Sequence, residues 1–430
     1  MLLRSVPNDP YLLRQSLRSC RIAYFVPTAT VRNTKYAARN TQYDVRLSPT
    51  TANIASPLPP SDPITKKHRR VFRNDLVAWF DGDRRDMPWR RTDDPYRIWL
   101  SEVMLQQTRV DQARPYYERF VAAFPTVEAL AAADLDDVLR MWEGLGYYSR
   151  ARNLHKAARM VVDAFDGRFP DTYDEIRALP GVGAYTAAAV LSIAFDRPHA
   201  VLDGNVIRVL TRVFAIDDEV NKSRTKQHLQ RLADGLLAPA RPGDFNQAMM
   251  ELGATVCTPK TPRCPSCPLQ PVCAAFAAGT PEAFPVKKKK APIPHYDIAA
   301  ALLFNDDDEL LIQRRPENKM LGGLWEFPGG KREPGEPLEE TCHREVREEL
   351  GVEIEIEELF GRVSHAYTHF KITLYAFRCR ICSGTPQSRE GLPLRWVSVP
   401  DLSNYAFPRA NRRLIDALLD RQQNPTLFDG

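Results

Sequence analysis

The sequence predicts a mainly α domain over residues 71–280, joined by a short linker to an α+β domain over residues 295–425. Three observations predict it. Apolar residues recur at spacings of three and four from Asp75 to Phe195. The period changes to two beyond residue 295. Between the two regimes, residues 281–294 hold several prolines and four consecutive lysines, Lys287 to Lys290, the composition of an extended linker whose charges touch DNA backbone or are simply solvated.

The helical pattern runs through Asp75 to Phe80, Pro95 to Gln107, Gln112 to Phe124, Val127 to Ala132, Leu135 to Trp142, Ala151 to Phe165 and Thr186 to Phe195. The breaks between these stretches are Gly, Pro and Asp, as helix ends require. After the linker, Ile298 to Phe304, Leu310 to Gln313 and Ile372 to Arg378 read as strands, and Glu339 to Leu350 returns to helical spacing.

At 430 residues, 43% hydrophobic and 26% charged, the chain has apolar mass for two or three ordinary cores. No apolar run approaches the about 20 residues of a membrane span, so no membrane partner is expected, and a monomer is. The net charge of +5 is unevenly spread: residues 1–70 hold twelve basic side chains against three acidic ones, and the remainder is net negative. DNA binding must then rest on local basic patches and helix ends. Residues 1–70 have weak periodicity and many Ser, Thr, Asn and Pro, and are expected to be a disordered basic extension. They superficially fit an organelle transit peptide; a plain basic tail, or translation from an upstream start, is the preferred reading. The expected location is the bacterial cytoplasm, at the nucleoid, or an organelle or nucleus if the extension is a targeting signal.

Cys257, Cys264, Cys267 and Cys273 follow the order C-x6-C-x2-C-x5-C. Loops this short let four thiolates converge on one iron–sulfur cluster or one zinc ion, and chemistry alone leaves both open. Two disulfides are disfavoured, because an oxidised framework belongs to small secreted domains. Lys260 and Arg263, between the first two cysteines, are placed to meet a DNA phosphate. Upstream, Leu179-Pro180-Gly181-Val182-Gly183 makes a tight turn whose N–H groups, at the start of the next helix, can hold a phosphate with no side chain in the way. Ordinary helix turns use the same residues, so the signal lies in its combination with Leu202 to Val206 and the cysteines.

Trp99 to Thr108 (WLSEVMLQQT), Gly144 to Tyr148 (GLGYY), Ala151 to Leu154 (ARNL) and Phe245 to Gly253 (FNQAMMELG) together resemble the MutY-type adenine DNA glycosylases, over about residues 71–278. The resemblance implies a helix-hairpin-helix glycosylase domain, a 4Fe–4S cluster on the four cysteines, double-stranded DNA as partner, and removal of adenine mispaired with 8-oxoguanine. Breaking an N-glycosidic bond generates an oxocarbenium-like sugar, so one carboxylic acid must protonate the leaving base and a second, ionised, must face the cation. Glu102 in an apolar helix fits the first role, since burial would keep a proton on it for adenine N7. Asp203, beside Gly204, fits the second. Taken alone, Glu102 reads equally as a surface helix residue and Asp203 as an N-cap; the resemblance places both at the active site.

In relatives that also cut the strand, a lysine two residues after the last hairpin glycine forms a Schiff base with the sugar. Here that position is Tyr185, which implies a monofunctional enzyme. By resemblance, Tyr185 and Asn205 position the sugar and the water, and Gln107 and Tyr147 form the wedge that fills the stack when adenine is flipped out. An ordinary core role is the alternative for both tyrosines.

In the second domain, Gly330-x5-Glu336-x7-Arg344-Glu345-Val346-Arg347-Glu348-Glu349-Leu350-Gly351-Val352 satisfies every position of the Nudix box. On a helix, Glu345, Glu348 and Glu349 share one face that can hold Mg²⁺ against a diphosphate, and they repel one another unless a cation neutralises them. A solvated acidic helix would also be Glu-rich, but would not need Gly330, Arg344 and Gly351 at these offsets. Trp325 to Lys331 and Phe407 to Asn411 resemble MutT-type 8-oxo-dGTP diphosphatases, which implies that Asn411 reads the oxidised base. Tyr367, Thr368 and His369 resemble the Phe-Ser-His loop by which MutY-type proteins hold 8-oxoguanine in DNA. MutY-type proteins usually carry a decayed box, and this chain departs from them. Two expectations follow: a Nudix fold that only reads the lesion, or one that also hydrolyses 8-oxo-dGTP with Mg²⁺. A catalytically silent lesion-binding protein is a third, disfavoured by Glu102 and Asp203.

Overall fold

The computed structural model describes residues 63–288 and 292–423. The disorder expected of residues 1–62, and the roles of Lys289 and Lys290, fall outside them. The helical part comprises α1 (Lys66–Arg70), α2 (Leu76–Asp83), α3 (Pro95–Leu105), α4 (Val110–Ala123), α5 (Val127–Ala132), α6 (Leu135–Trp142) and α7 (Ser149–Phe165). It continues with α8 (Tyr173–Ala178), α9 (Ala184–Phe195), α10 (Gly204–Val213), α11 (Ser223–Leu236), α12 (Pro242–Thr255) and the short α13 (Ala274–Ala277). The domain starts earlier than residue 71: α1 is ordered by a Thr65 cap, and Ile64 is buried against α11 and α12.

Two cores share this domain. Trp99, Phe120, Leu139, Trp142 and Leu154 belong to the first, built on α3 to α8. Phe72, Leu76, Phe80, Leu210, Leu229 and Leu252 belong to the second, built on the Val71–Asp75 segment, α2 and α10 to α12. Helix α9 divides itself between them, giving Ala187, Val190 and Leu191 to one and Ala188 and Ala189 to the other. Small residues all round α9 let both layers approach it. A helix buried on two sides has no wide polar face, so it reads as a nearly continuous apolar run rather than as one stripe.

Not all of the linker is free. Val220 N–H donates to the Val286 carbonyl at 3.2 Å, and Arg212 Nε to that of Phe284 at 3.2 Å, so the segment before Lys287 is fastened to the helical domain.

The second domain contains β1 (His295–Phe304), β2 (Leu310–Arg314), β3 (Trp325–Glu326), β4 (Gly329–Lys331), α14 (Leu338–Leu350), β5 (Glu353–Ala366), β6 (Lys371–Ser383), β7 (Leu394–Val397) and α15 (Arg409–Gln423). The sheet runs β3-β2-β1-β6-β5, with β4 on β1 and β7 on β2; β1 and β6 are parallel and the other pairs antiparallel. Along β1 the period of two is strict: Ala299, Ala301 and Leu303 face α14, while Ala300, Leu302 and Phe304 face the core that α15 covers. Both faces of β1 are therefore buried, which makes it one continuous apolar run.

The two domains are bolted together. Arg152 of α7 donates to the Gly322 carbonyl, Arg314 pairs with Asp136 at 2.7 Å, and Arg412 forks onto Glu143 at 2.7 and 3.0 Å. Leu321, Leu324 and Ala406 of the second domain pack into the first helical core.

Candidate active site

Glu102 lies in the middle of α3, a helix started by Asp94, whose side chain accepts from Tyr96 N–H, and by Pro95 in the first turn. Every residue from Ile98 to Met104 is buried, so the Glu102 carboxyl is withdrawn from bulk water. Its one side-chain hydrogen bond comes from the Tyr185 hydroxyl, 2.6 Å from Oε2. Burial pushes the Glu102 pKa up to about 7; the Tyr185 bond opposes this and the Asp203 charge adds to it.

Asp203 is the N-cap of α10, and it also lines the cavity that Glu102 lines. Its Oδ1 accepts from Asn205 N–H at 2.9 Å and Val206 N–H at 2.7 Å, and its Oδ2 from Asn205 Nδ2 at 2.8 Å. Burial raises its pKa, and these three donors oppose the rise without cancelling it. The contrast sets the division of labour. Three N–H donors favour an ionised Asp203, whereas Glu102 in its apolar helix is the group that keeps a proton near neutrality. Glu102, Tyr185, Asp203 and Asn205 line one cavity of about 160 Å³, at the seam between the two helical cores.

The wall of this cavity contains residues that the sequence reading passed over. Glu251 on α12 is buried and clamped by Arg85, at 2.6 and 2.8 Å, and Arg90, at 2.9 Å, which fixes the 84–91 segment against α12. The two guanidiniums outweigh burial and hold Glu251 down at about 2. Arg208 orients Asn205, donating to its Oδ1 at 2.8 Å, and reaches the Gly253 carbonyl at 2.7 Å. Gly253 is glycine because α10 passes so close that a Cβ there would lie 2.5 Å from Asn205 Cβ. Glu251 stands in the FNQAMMELG string, but nothing in that string reveals its arginine partners, which lie far away in the chain.

Gln107, Tyr147 and Gly181 line a second cavity of about 230 Å³. Gln107 and Tyr147 have φ of 57° and 51°, the left-handed region that non-glycine residues seldom enter. Tyr147 is only half-buried, which removes the ordinary-core reading of it. Arg150, also missed, holds the two strained loops together: Nη1 donates to the carbonyls of Val103, Met104 and Gln106, and Nη2 to those of Leu145 and Gly146. In the hairpin, Gly181 has φ 77° and abuts Asn153, and Gly183 starts α9 with no side-chain cap. Val182 corrects the expectation for this turn: its side chain is buried and its N–H donates to Leu179, so it has nothing to offer a phosphate.

Cys257, Cys264, Cys267 and Cys273 are all unpaired thiols and line a single small cavity together with Arg212, whose Nη1 lies 3.3 Å from Cys257 Sγ. The donor set fits a thiolate-bound group, and the neighbouring guanidinium fits its negative charge. Lys260 is exposed; Arg263 is exposed but its guanidinium is engaged with the Thr255 carbonyl at the end of α12, at 2.6 Å, so Lys260 is the freer cation for DNA. Among the described residues, no three His, Cys, Asp or Glu side chains stand at ready-made ion-coordinating geometry.

In the second domain a cavity of about 880 Å³ gathers Glu345, Glu348, Glu349, Tyr367, His369 and Asn411. The acidic face is less self-repelling than its sequence suggests. Arg344 bonds Glu336 at 2.8 and 3.0 Å and Glu345 at 2.9 Å, and Glu349 accepts from Gln313 Nε2 at 2.6 Å and Gly329 N–H at 3.0 Å. Burial, followed by the Glu326 charge, raises Glu349 to about 7. Several box positions thus have structural reasons: a Cβ on Gly330 would collide with the Glu345 carboxyl, and Gly351 ends α14 at φ 72°. Glu348, by contrast, is exposed and has only a 3.6 Å approach to Arg344.

In comparison with known proteins, two family models match this chain. The model of the HhH-GPD superfamily of base excision DNA repair proteins matches residues 100–234, and that of the NUDIX domain residues 299–417. An adenine DNA glycosylase of rat is 36% identical over 398 residues, covering 80% of this chain and 77% of its own length. Those of mouse and human are 36% and 35% identical, covering 82% and 80% of this chain and 79% and 73% of their own lengths.

Proposed function

This chain belongs to the adenine DNA glycosylases and acts in base excision DNA repair, and from that premise we propose that it excises adenine opposite 8-oxoguanine by hydrolysis at the Glu102–Asp203 cavity. The observation that carries this reading is the asymmetry of two carboxyls in one cavity, one in an apolar helix with a single hydroxyl donor and the other with three N–H donors. With adenine flipped into the cavity, Glu102 gives its proton to N7 as the glycosidic bond breaks, and the Asp203 carboxylate faces the sugar cation until water captures it. Tyr185 orients Glu102 and Asn205 orients Asp203. Gln107 and Tyr147 take the place of the extruded base, and the uncapped start of α9 at Gly183 receives a phosphate. The four cysteines would hold a 4Fe–4S cluster, which when bound anchors the 257–273 loop and presents Lys260 to the DNA backbone. The turn at Tyr367, Thr368 and His369 reads the 8-oxoguanine left in the duplex. Adenine release should be faster from an 8-oxoguanine:adenine duplex than from guanine:adenine, with thymine:adenine untouched; equal rates on the first two would overturn the lesion assignment.

A second reading is favoured by the Nudix cavity. Its size, the exposed Glu348 and the Asn411 amide, without a hydrogen-bond partner among the described residues, support hydrolysis of 8-oxo-dGTP to its monophosphate, with Mg²⁺ held by Glu345, Glu348 and Glu349. Pyrophosphate release from 8-oxo-dGTP, compared with a Glu348→Gln control, tests it; no excess over the control leaves the domain as a lesion reader only.

A further inference from the structure

One turn belongs to two sites. Tyr367 and His369 line the large Nudix cavity. Thr368 between them turns the other way, and its Oγ1 lies 2.5 Å from the Tyr147 hydroxyl of the helical domain. The turn is stiff: Tyr367 N–H donates to the Phe370 carbonyl at 2.8 Å, the rings of Tyr367 and Phe370 stack at 4.8 Å, and His365 meets Tyr367 edge-on at 4.6 Å. A four-residue turn closed by both a backbone bond and a ring stack moves as one body. Displacing Tyr367 or His369 therefore displaces Thr368. Beyond Thr368 the path continues: Arg150 ties Gly146, the neighbour of Tyr147, to the carbonyls of Val103, Met104 and Gln106 at the end of the helix that carries Glu102.

The cavity has the chemistry of a purine nucleotide site. Asn411 is 8% exposed, lines the cavity, and its side-chain amide has no hydrogen-bond partner among the described residues. A donor and an acceptor side by side on one amide match the edge of a purine base. Phe327 and Phe370 supply apolar walls, and the cations for a phosphate are Lys331, which lies over the Tyr296 ring, and Lys319, which must exchange its Glu390 partner, 2.9 Å away, for the phosphate.

We propose that a free purine nucleoside monophosphate, 8-oxo-dGMP foremost, binds this cavity and opposes adenine excision by drawing the 367–370 turn inward and lifting Thr368 off Tyr147. The proposal rests on reading the cavity as a purine nucleotide site, but not on hydrolysis, since a monophosphate offers no diphosphate bond to break.

The experiment uses the full chain. Affinity for an 8-oxoguanine:adenine duplex and adenine release at limiting enzyme are measured with and without 8-oxo-dGMP, and nucleotide binding is followed by calorimetry with and without duplex. Duplex affinity should fall at least about fivefold, the lower end of ordinary coupling between sites, and duplex must weaken nucleotide binding by the same factor. Thr368→Val should still bind the nucleotide yet lose the response, each rate being referred to that variant's own nucleotide-free rate. Asn411→Leu should lose both binding and response. Binding with no change in duplex affinity overturns the coupling and leaves the cavity reading standing. No binding at all overturns both. A full response in Thr368→Val marks direct competition with DNA and overturns the route through Tyr147.

Discussion

The Tyr147 hydroxyl and Thr368 Oγ1 lie 2.5 Å apart, joining the strained loop of the helical domain to the turn between β5 and β6. They are separated by 221 positions in sequence, and each was singled out for a different reason. The contact gives the turn proposed to read the lesion a direct hold on the proposed wedge. Tyr147→Phe and Thr368→Val should each reduce the preference for 8-oxoguanine over guanine opposite adenine. Because they remove the same bond, the double variant should fall short of the sum by about 1 kcal/mol, the ordinary net value of one neutral hydrogen bond. Strict additivity of the excision rates would mean the bond does not matter.

Glu102 at about 7 makes a pH prediction whose sign differs between activity and stability. As a general acid it works protonated, so single-turnover adenine release should be level on the acid side and fall as pH rises through about 7. Glu102→Gln should cost more than about tenfold in that rate, which is about 1.4 kcal/mol. Stability runs the other way. A carboxyl raised in the fold from 4.5 to about 7 contributes stability that is complete below 4.5 and lost as pH rises through about 7. The neutral amide does not titrate, so Glu102→Gln should melt higher than wild type near pH 8 and not near pH 4.

Much of this was legible in the sequence, and what was missed has physical causes. Helices α4 and α6 were plain because each buries one stripe, and α3, α9 and β1 because they are buried on more than one side and read as nearly continuous apolar runs. Strand β5 was not, because Glu353, Glu355, Glu357 and Glu358 put charge along its solvent side and register shifts interrupt its alternation after Ile356 and Leu359. Helices α10 and α12 were hidden by Gly204, Gly243 and Gly253, which read as breaks. At Gly243 and Gly253 the glycine is demanded by contact, with Ser192 and Asn205 respectively. Arg150 and Glu251 were overlooked because a buried charge announces itself only through partners distant in the chain.

Glu251 makes the missing part testable. Its side chain is 1% exposed and depends on Arg85 and Arg90. Arg90→Met should destabilise the protein by about 3 kcal/mol, as removing one partner of a buried ion pair does. Its carboxyl is held at about 2, below the ordinary 4.5, so its stabilisation is complete above 4.5 and lost as pH falls through about 2. Chemical denaturation of wild type and variant at pH 7 and pH 3 reads both effects, and the gap between the two proteins should narrow at the lower pH.

Four cysteines around one cavity, with Arg212 beside Cys257, predict that the purified protein is yellow-brown and carries about four iron atoms per chain. Cys264→Ala should lose the colour and weaken duplex binding by releasing the loop that bears Lys260. Stoichiometric zinc without iron in native, unreconstituted protein would overturn the cluster assignment.

Tyr185 stands where strand-cutting relatives carry a nucleophilic lysine, and its hydroxyl is committed to Glu102 at 2.6 Å and approaches Met250 Sδ at 3.1 Å. A phenol has no amine nitrogen, so Tyr185 forms no imine with a sugar aldehyde in either protonation state, and burial keeps its hydroxyl protonated as the donor to Glu102. Borohydride should therefore trap no covalent enzyme–DNA adduct at a rate matching adenine release, and the product should be an intact abasic strand. Tyr185→Phe isolates the second duty of this residue. The hydroxyl favours the ionised carboxylate, so removing it should raise the Glu102 pKa further and move the alkaline fall of the rate to higher pH, while the plateau drops because the carboxyl is no longer held toward adenine. An unmoved alkaline limb would separate Tyr185 from the proton on Glu102, and a trapped adduct in wild type would assign the enzyme to the strand-cutting class.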